Sequence, residues 1–261
     1  MRPVLFCVGG LSLLTGPLIT ALSTLAAYAY FRRVRERTGL SEDELWDLML
    51  PLAGGVVAGG LLLHFFLYGG GPASNLKALL SRRNPGGAFF GNFWGGVLAL
   101  WIYSRRSRID LRRAADAYAC AAMLGLGLKR LGCVMNGCCY GKPTDLPWAI
   151  VFSDPRSQTP RRWLGTPLHP TQMYESVAAL LIFVLLHRWM ASRDEGDGPA
   201  PGTVFVAGTA AYSAFRLLSE PLRGSDPGLI RTLSLDTGQW TALAGLSVCA
   251  FLWLRWRARP C

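Results

Sequence analysis

The 261-residue sequence is poor in charged residues, which make up only 16% of it, and this scarcity excludes an ordinary soluble domain. Hydrophobic residues make up 51%, and the mean hydropathy is +0.28. No internal repeat is present, and the first apolar segment lacks the small-residue cleavage pattern of a removable signal peptide, so we expect it to remain as a helix. The composition predicts one integral membrane domain over residues 1–261.

Seven apolar segments alternate with short, arginine-rich connectors. Crossing the hydrocarbon takes roughly 20 mostly apolar residues per helix. The segments cover about residues 4–30, 46–68, 87–103, 114–128, 171–190, 202–219 and 239–254. The fourth is short and contains Asp116, so we expect it to be tilted or lengthened by the following turn. The sequence predicts an all-α, polytopic transmembrane bundle of about seven helices.

The net charge of +11 comes from arginines at the ends of apolar segments, which favours anionic lipid headgroups over nucleic acid. Dense clusters at 32–37, 105–113 and 255–259 fall on one side of the bundle, and this side is expected to be cytoplasmic. The N-terminus is then outside and the C-terminus inside. Two long outer loops, about residues 130–170 and 220–238, carry the other polar groups and predict an outward-facing polar cavity.

Arg216 and Glu220 stand four residues apart at the end of an apolar segment, so they share one helix face. Ionisable groups at membrane depth are costly, and they usually face a cavity or one another. Two interpretations are open: a structural ion pair between helices, or a site for an anionic headgroup. Tyr212 lies one turn earlier on the same face and favours the site.

Two other segments place polar groups where a helix meets a loop. His169, Gln172 and Glu175 follow one another at three-residue spacing at the start of an apolar run, although capping and interface anchoring explain part of that pattern. Upstream, a glycine-rich turn carries Arg130 and Asn136. Backbone amides and a guanidinium suit a phosphate, while a plain tight turn is the structural alternative.

Cys133, Cys138 and Cys139 form the one cysteine cluster of the sequence. The other four cysteines lie in or beside apolar segments and are expected to act as small hydrophobic residues. The clustered three could bind metal with His169, but their C-x4-C-C spacing matches no zinc pattern. In an oxidising compartment a disulfide from Cys133 to Cys138 or Cys139 is favoured over metal.

These segments, in this order, resemble the bacterial prolipoprotein diacylglyceryl transferase family over about residues 40–256. KRLGCVMNGCCYGKP is similar to its G-R-x-G-N-F-x-N-G-E-x-x-G signature, HPTQMYE to H-P-x-Q-x-Y-E, and YSAFRLLSEPLR to Y-x-x-x-R-x-x-x-E-x-x-R. The resemblance implies transfer of the diacylglyceryl group of phosphatidylglycerol to the lipobox cysteine thiol of a preprolipoprotein, without metal or soluble cofactor. It also implies a bacterial inner-membrane location, with signal peptides and membrane lipids as partners.

The resemblance also implies roles for individual residues. Arg130 and Arg216 would bind or polarise the phosphate, and Glu220 would orient Arg216. The implied catalytic residues are Arg130, Arg216, Glu220 and His169. The implied substrate-binding residues are Tyr212, Asn136, Gly141, Gln172, Glu175 and Arg223.

The sequence departs from the family pattern at several positions. Cys133 and Cys138 replace an asparagine and a glutamate, and Gly91 stands where a histidine is frequent. Thr15 and Leu61 stand where the family has a tyrosine and an arginine. The usual proton acceptor is therefore missing, and His169 or Glu220 would have to serve as the base.

The departures leave other functions open. One alternative keeps the fold but gives a phospholipid-binding protein or a transferase with a different acceptor. Another is a small transporter or a thiol redox membrane protein. Transporters usually place charges near the midplane, whereas these polar residues gather at the outer ends of helices.

Overall fold

The computed structural model describes residues 4–8, 11–67, 89–107, 109–195, 198–224, 233 and 235–257. These residues contain eight α-helices and two small antiparallel strand pairs. The helices are α1 (Thr15–Arg33), α2 (Arg35–Thr38), α3 (Glu42–Leu67), α4 (Phe89–Arg106), α5 (Leu111–Asn136), α6 (Thr171–Ala191), α7 (Thr203–Ser219) and α8 (Thr237–Arg257). The strands are β1 (Val4–Val8), β2 (Leu11–Leu14), β3 (Ile150–Val151) and β4 (Pro167–Leu168).

Four helices of the described residues are long and apolar enough to cross a membrane, namely α3, α5, α6 and α8. This confirms the prediction of a helical membrane protein. The figure of about seven crossing helices stays a prediction. Short 3₁₀ helices at Arg161–Trp163, Ser192–Glu195 and Glu220–Leu222 complete the helical structure.

The N-terminal segment differs from the predicted helix over residues 4–30. β1 and β2 pair as an antiparallel hairpin, with Cys7 opposite Ser12, and α1 begins only at Thr15. The prediction was therefore wrong for residues 4–8 and 11–14. Two short apolar runs on either side of Gly9 and Gly10, which lie outside the described residues, are typical of a hairpin, and hydrophobicity alone does not distinguish a short strand from a helix.

Helix α5 is the centre of the bundle and packs against α1, α4, α6 and α7. It is 26 residues long, so the expected extension of the short fourth segment is confirmed. Asp110 caps its start by accepting hydrogen bonds from the backbone N–H groups of Arg112 and Arg113. Gly137, with φ +70°, ends it in the left-handed conformation that favours glycine.

Glycines let α3 and α4 pack in backbone contact. Gly55 and Gly59 of α3 oppose Gly91 and Gly95 of α4, and a Cβ atom at Gly91 would lie 2.3 Å from the carbonyl oxygen of Gly59. Small residues at this spacing are typical of close helix pairs in membranes. Gly91 therefore has no room for a side chain.

Substitution of Gly91 tests this crossing. We expect Gly91→Ala to lower the stability of the folded protein by about 1–3 kcal/mol because the added methyl overpacks the crossing. Gly91→His should lower the stability further because its side chain is larger. Thermal unfolding in detergent measures the change, and Gly54→Ala on α3, where a Cβ atom would meet nothing within 4 Å, is the matched control. Equal melting temperatures for Gly91→Ala and Gly54→Ala would contradict the prediction.

Asp116 joins helices at the end of the bundle where α5 and α7 begin. Its carboxylate is fully buried and accepts hydrogen bonds from the backbone N–H groups of Gly202 and Phe205, at 2.8 and 2.7 Å. Arg193 donates a third, at 2.6 Å. Asp116 thus caps α7 from a neighbouring helix and ties the connector after α6 to the bundle.

We expect Asp116→Asn to destabilise the fold by about 1.5–3 kcal/mol, since it weakens the hydrogen bonds to a fully buried carboxylate and removes the counter-charge of the partly buried Arg193 guanidinium. Asp110→Asn is the control, because Asp110 also caps a helix but its side chain is 45% exposed. Denaturation in a mild detergent should separate the two variants. If both lose the same stability, the buried ion pair contributes no more than an ordinary cap.

Candidate active site

The carboxylate of Glu175 is the centre of a buried polar cluster that joins three helices. Oε1 accepts a hydrogen bond from Arg130 Nη2 at 2.7 Å and another from the Tyr212 hydroxyl at 2.6 Å. Oε2 lies 3.5 Å from Arg216 Nη1 and 3.6 Å from Arg223 Nη1. With Glu175 only 1% exposed, these contacts are formed in a water-poor environment, where charge interactions are strong.

Glu220 supplies a second carboxylate. It pairs with Arg216, four residues earlier, and its Oε1 lies 3.7 Å from Arg223 Nε. Arg216 and Arg223 are therefore each held between Glu220 and Glu175. The same-face prediction for Arg216 and Glu220 is confirmed by this contact.

Each member of the cluster lies where a helix reaches the same end of the bundle. Arg130 comes from the last two turns of α5, and Glu175 from near the start of α6. Tyr212 and Arg216 lie near the end of α7. Antiparallel neighbours bring these ends together, so residues far apart in sequence share one site.

Backbone hydrogen bonds fasten the loops around the cluster. Gly141 N donates to His169 O at 3.0 Å, and His169 N donates to Lys142 O at 2.9 Å. Lys142 N in turn donates to Leu222 O at 2.8 Å. A Cβ atom at Gly141 would lie 2.6 Å from His169 O and 2.9 Å from Leu222 O, so glycine is required by close approach. The three segments singled out in the sequence thus meet at Gly141.

Two predicted site residues support loops and contact neither carboxylate. Gln172 Nε2 donates to Cys138 O at 2.7 Å, and Thr171 Oγ1 donates to Cys139 O at 2.8 Å. The Asn136 carbonyl accepts from Gln158 N, and its side chain packs against Gly16 of α1. These residues position the turn after α5.

His169 lies at the loop junction through its main chain. Its ring faces Tyr174, with ring centroids 6.3 Å apart, and its Nδ1 has no hydrogen-bond partner among the described residues. The structure does not join this ring to Glu175 or Glu220. Its role as a base stays a prediction.

The cysteine cluster adjoins Arg130. The sulfur atoms of Cys133, Cys138 and Cys139 lie within 4.8 Å of one another, and all three residues are free thiols. The disulfide favoured by the sequence is thus not formed in this structure, in which no two of these sulfurs are bonded. The pKa of Cys139 is held well below its usual range by hydrogen bonds from Cys133 and Cys138, with nearby Arg130 and Arg223 contributing.

Aromatic rings close one side of the cluster. The rings of Phe89 and Phe90, at the start of α4, lie 4.7 and 5.7 Å from that of Tyr212. A cavity of 320 Å³ lies elsewhere, between α3 and α4, and is lined mainly by apolar residues such as Leu62 and Leu98. None of the polar residues clustered around Glu175 lines that cavity, so the predicted polar cavity is not the one found there.

The sequence identified the members of the cluster but not its centre. The sequence spacing predicts a pair of Arg216 with Glu220, and the resemblance implies only a substrate-binding role for Glu175. A signal was present, because buried guanidinium groups need counter-charges and Glu175 was the acidic residue nearest the start of its helix. Sequence spacing relates residues on one helix, however, and gives no partner on another.

The fold and the site define a helical membrane protein with a buried, arginine-rich polar site at one end of its bundle. A family model described as prolipoprotein diacylglyceryl transferase matches residues 3–255. The chain belongs to this family and is a transferase.

Curated relatives match over most of their length. A protein of Clostridium tetani is 30% identical over 253 residues, which cover 97% of this chain and 96% of the relative. A protein of Geobacter sulfurreducens is 35% identical over 87% of this chain and 84% of its own. A protein of Aromatoleum aromaticum is 33% identical over 99% and 96%. All three are named phosphatidylglycerol–prolipoprotein diacylglyceryl transferase.

Proposed function

We propose that this protein transfers the diacylglyceryl group of phosphatidylglycerol to the lipobox cysteine thiol of a prolipoprotein and forms a thioether. The observation that carries the proposal is the convergence of Arg130, Arg216 and Arg223 on Glu175. Planar guanidinium groups from separate elements suit the several oxygens of a phosphate. Family membership supplies the reaction class.

The cluster suits phosphate as a leaving group. As the bond between the glycerol carbon and the phosphate oxygen breaks, negative charge grows on that oxygen. Preorganised cations in a water-poor site stabilise such charge without reorganising. Arg130 Nε, which is buried and has no hydrogen-bond partner among the described residues, is a donor suited to a phosphate oxygen. Glu175 and Glu220 hold the guanidinium groups in place before the lipid binds.

We further propose that the site faces the outside of the bacterial inner membrane. Among the described residues, arginines of the dense clusters lie at the opposite ends of the helices, with Arg32 and Arg33 at the end of α1 and Arg105 and Arg106 at the end of α4. This orientation places the N-terminus outside and the C-terminus in the cytoplasm. The lipid then enters from the outer leaflet, where signal peptides also present their cysteine.

The test is transfer of labelled diacylglycerol from phosphatidylglycerol to a lipobox peptide by the purified protein. The expected product is the thioether peptide together with glycerol phosphate, and a peptide with serine in place of the cysteine should give none. Complementation of a transferase-deficient bacterium is the matching test in cells. If the purified protein binds the lipid but forms no product, and the gene does not rescue the bacterium, the protein is a phospholipid-binding protein and not a transferase.

A further inference from the structure

The turn after α5 gathers three thiols into one cluster. Cys133 lies in the last turn of α5, and Cys138 and Cys139 follow it after Gly137. Gly137 and Cys139 both have positive φ, +70° and +59°, so the chain folds back over the helix end. This fold-back places all three sulfurs within 4.8 Å of one another.

The spacing of the sulfurs is close to that of a metal centre. Zinc–sulfur bonds of about 2.3 Å with tetrahedral geometry require sulfurs about 3.8 Å apart. A closing movement of about 1 Å or less would meet that spacing. A donor set made only of thiolates selects thiophilic cations over Mg²⁺ or Ca²⁺. Three protein ligands also leave the fourth tetrahedral position open, as in catalytic rather than structural zinc sites.

The surroundings stabilise such a centre. Three thiolates and a divalent cation carry one net negative charge, and Arg130 Nη1 already lies 3.7 Å from Cys133 Sγ. Gln172 and Thr171 hold the carbonyls of Cys138 and Cys139, which orients the two ligands. Outer hydrogen bonds of this kind commonly fix the ligands of metal sites.

We propose that Cys133, Cys138 and Cys139 bind a thiophilic divalent cation such as Zn²⁺, and that its open position binds the acceptor thiol. The second half rests on the function proposed above. Binding releases the protons of the three cysteines to solvent, and the acceptor thiol loses its own proton to water on coordination. Its sulfur then forms a bond to the glycerol carbon while the carbon–oxygen bond to phosphate breaks. The glycerol phosphate leaves with that electron pair, and the neutral thioether dissociates from the cation.

This assignment accounts for the missing proton acceptor. A thiol is a poor nucleophile until it is deprotonated, and a bound cation deprotonates it without a side-chain base. Gly91, where a histidine is frequent, lacks room for any side chain. The cysteines at 133 and 138 stand where the family pattern has an asparagine and a glutamate. The chain thus lacks the side-chain base that would deprotonate the thiol, and its additional cysteines provide a cation site that can do so instead.

Metal binding is tested on the full-length protein in detergent. The protein is first reduced, kept free of oxygen and treated with a chelator to remove bound metal. Titration with Co²⁺ should give one ion per chain, with the visible absorption of tetrahedral thiolate coordination, and Zn²⁺ should displace it. The variant in which Cys133, Cys138 and Cys139 are all serine should lose this signal. Cys249→Ser, at a buried cysteine of α8, is the matched control and should keep it.

Two results would overturn the metal site. One is a fully reduced wild-type protein that binds no Co²⁺ or Zn²⁺. The other is equal binding by the triple serine variant. Mass spectrometry of the same samples counts the free thiols, so that reduction is verified in each titration.

The acceptor position is tested by adding a lipobox peptide to the Co²⁺ protein. The cysteine peptide should shift the absorption spectrum, whereas the serine peptide should not. Arg216→Ala should keep both the metal and the shift while losing transfer, because Arg216 acts on the phosphate. No shift with the cysteine peptide would overturn thiol coordination. A normal shift in a wild-type protein that transfers no lipid would instead count against the proposed function.

Discussion

Replacing Arg216 or Arg130 with alanine is expected to reduce diacylglyceryl transfer at least about 100-fold, the usual cost of removing one preorganised donor to a developing negative charge. Each guanidinium contacts Glu175 and comes from a different helix. Neither can therefore take over the position of the other. The effect should fall on the rate at saturating phosphatidylglycerol, because the charge grows as the phosphate leaves.

The measurement is transfer by purified variants at several phosphatidylglycerol concentrations. Arg188→Ala, at an exposed arginine toward the opposite end of α6, is the matched control and should keep wild-type activity. Arg216→Lys separates charge from geometry, since lysine keeps the charge but loses the planar fork. Chromatography in detergent checks that each variant is folded. Wild-type rates in Arg130→Ala and Arg216→Ala would show that the cluster is only structural.

Glu175→Gln should be the most damaging single substitution in the cluster. It removes the carboxylate that Arg130, Arg216 and Arg223 share and leaves buried positive charges without their common partner. Breaking a buried ion pair in this way costs about 3–5 kcal/mol of stability. Transfer should fall as well, because guanidinium groups that repel one another no longer hold the geometry that phosphate requires.

Glu220→Gln is the comparison, because Glu220 contacts two of these arginines and Glu175 contacts three. We expect a smaller loss of both melting temperature and activity for Glu220→Gln. Glu175→Asp keeps the charge on a shorter side chain and should recover part of the stability but little of the activity. A larger loss for Glu220→Gln than for Glu175→Gln would place the centre of the site at Glu220.

Elements marked by a clear local pattern in the sequence were predicted well, and those with an ambiguous pattern were not. Helices α6, α7 and α8 begin and end within a few residues of their predicted limits, because long apolar segments bounded by polar residues are a local pattern. The first segment was predicted wrongly because its apolar pattern is compatible with two kinds of local structure. Residues 4–8 and 11–14 are apolar enough for a helix but pair as the strands of a hairpin, and hydrophobicity alone does not distinguish a short strand from part of a helix.

By itself, the sequence determined that this is a helical membrane protein and which family it belongs to. Composition and motif order suffice for these, since they are properties of the chain. Only the tertiary structure decided that Glu175 is the centre of the site, that Gly91 is closed to any side chain and that three cysteines converge beside Arg130. Those facts depend on distances between helices, which packing sets and which no spacing along one chain encodes.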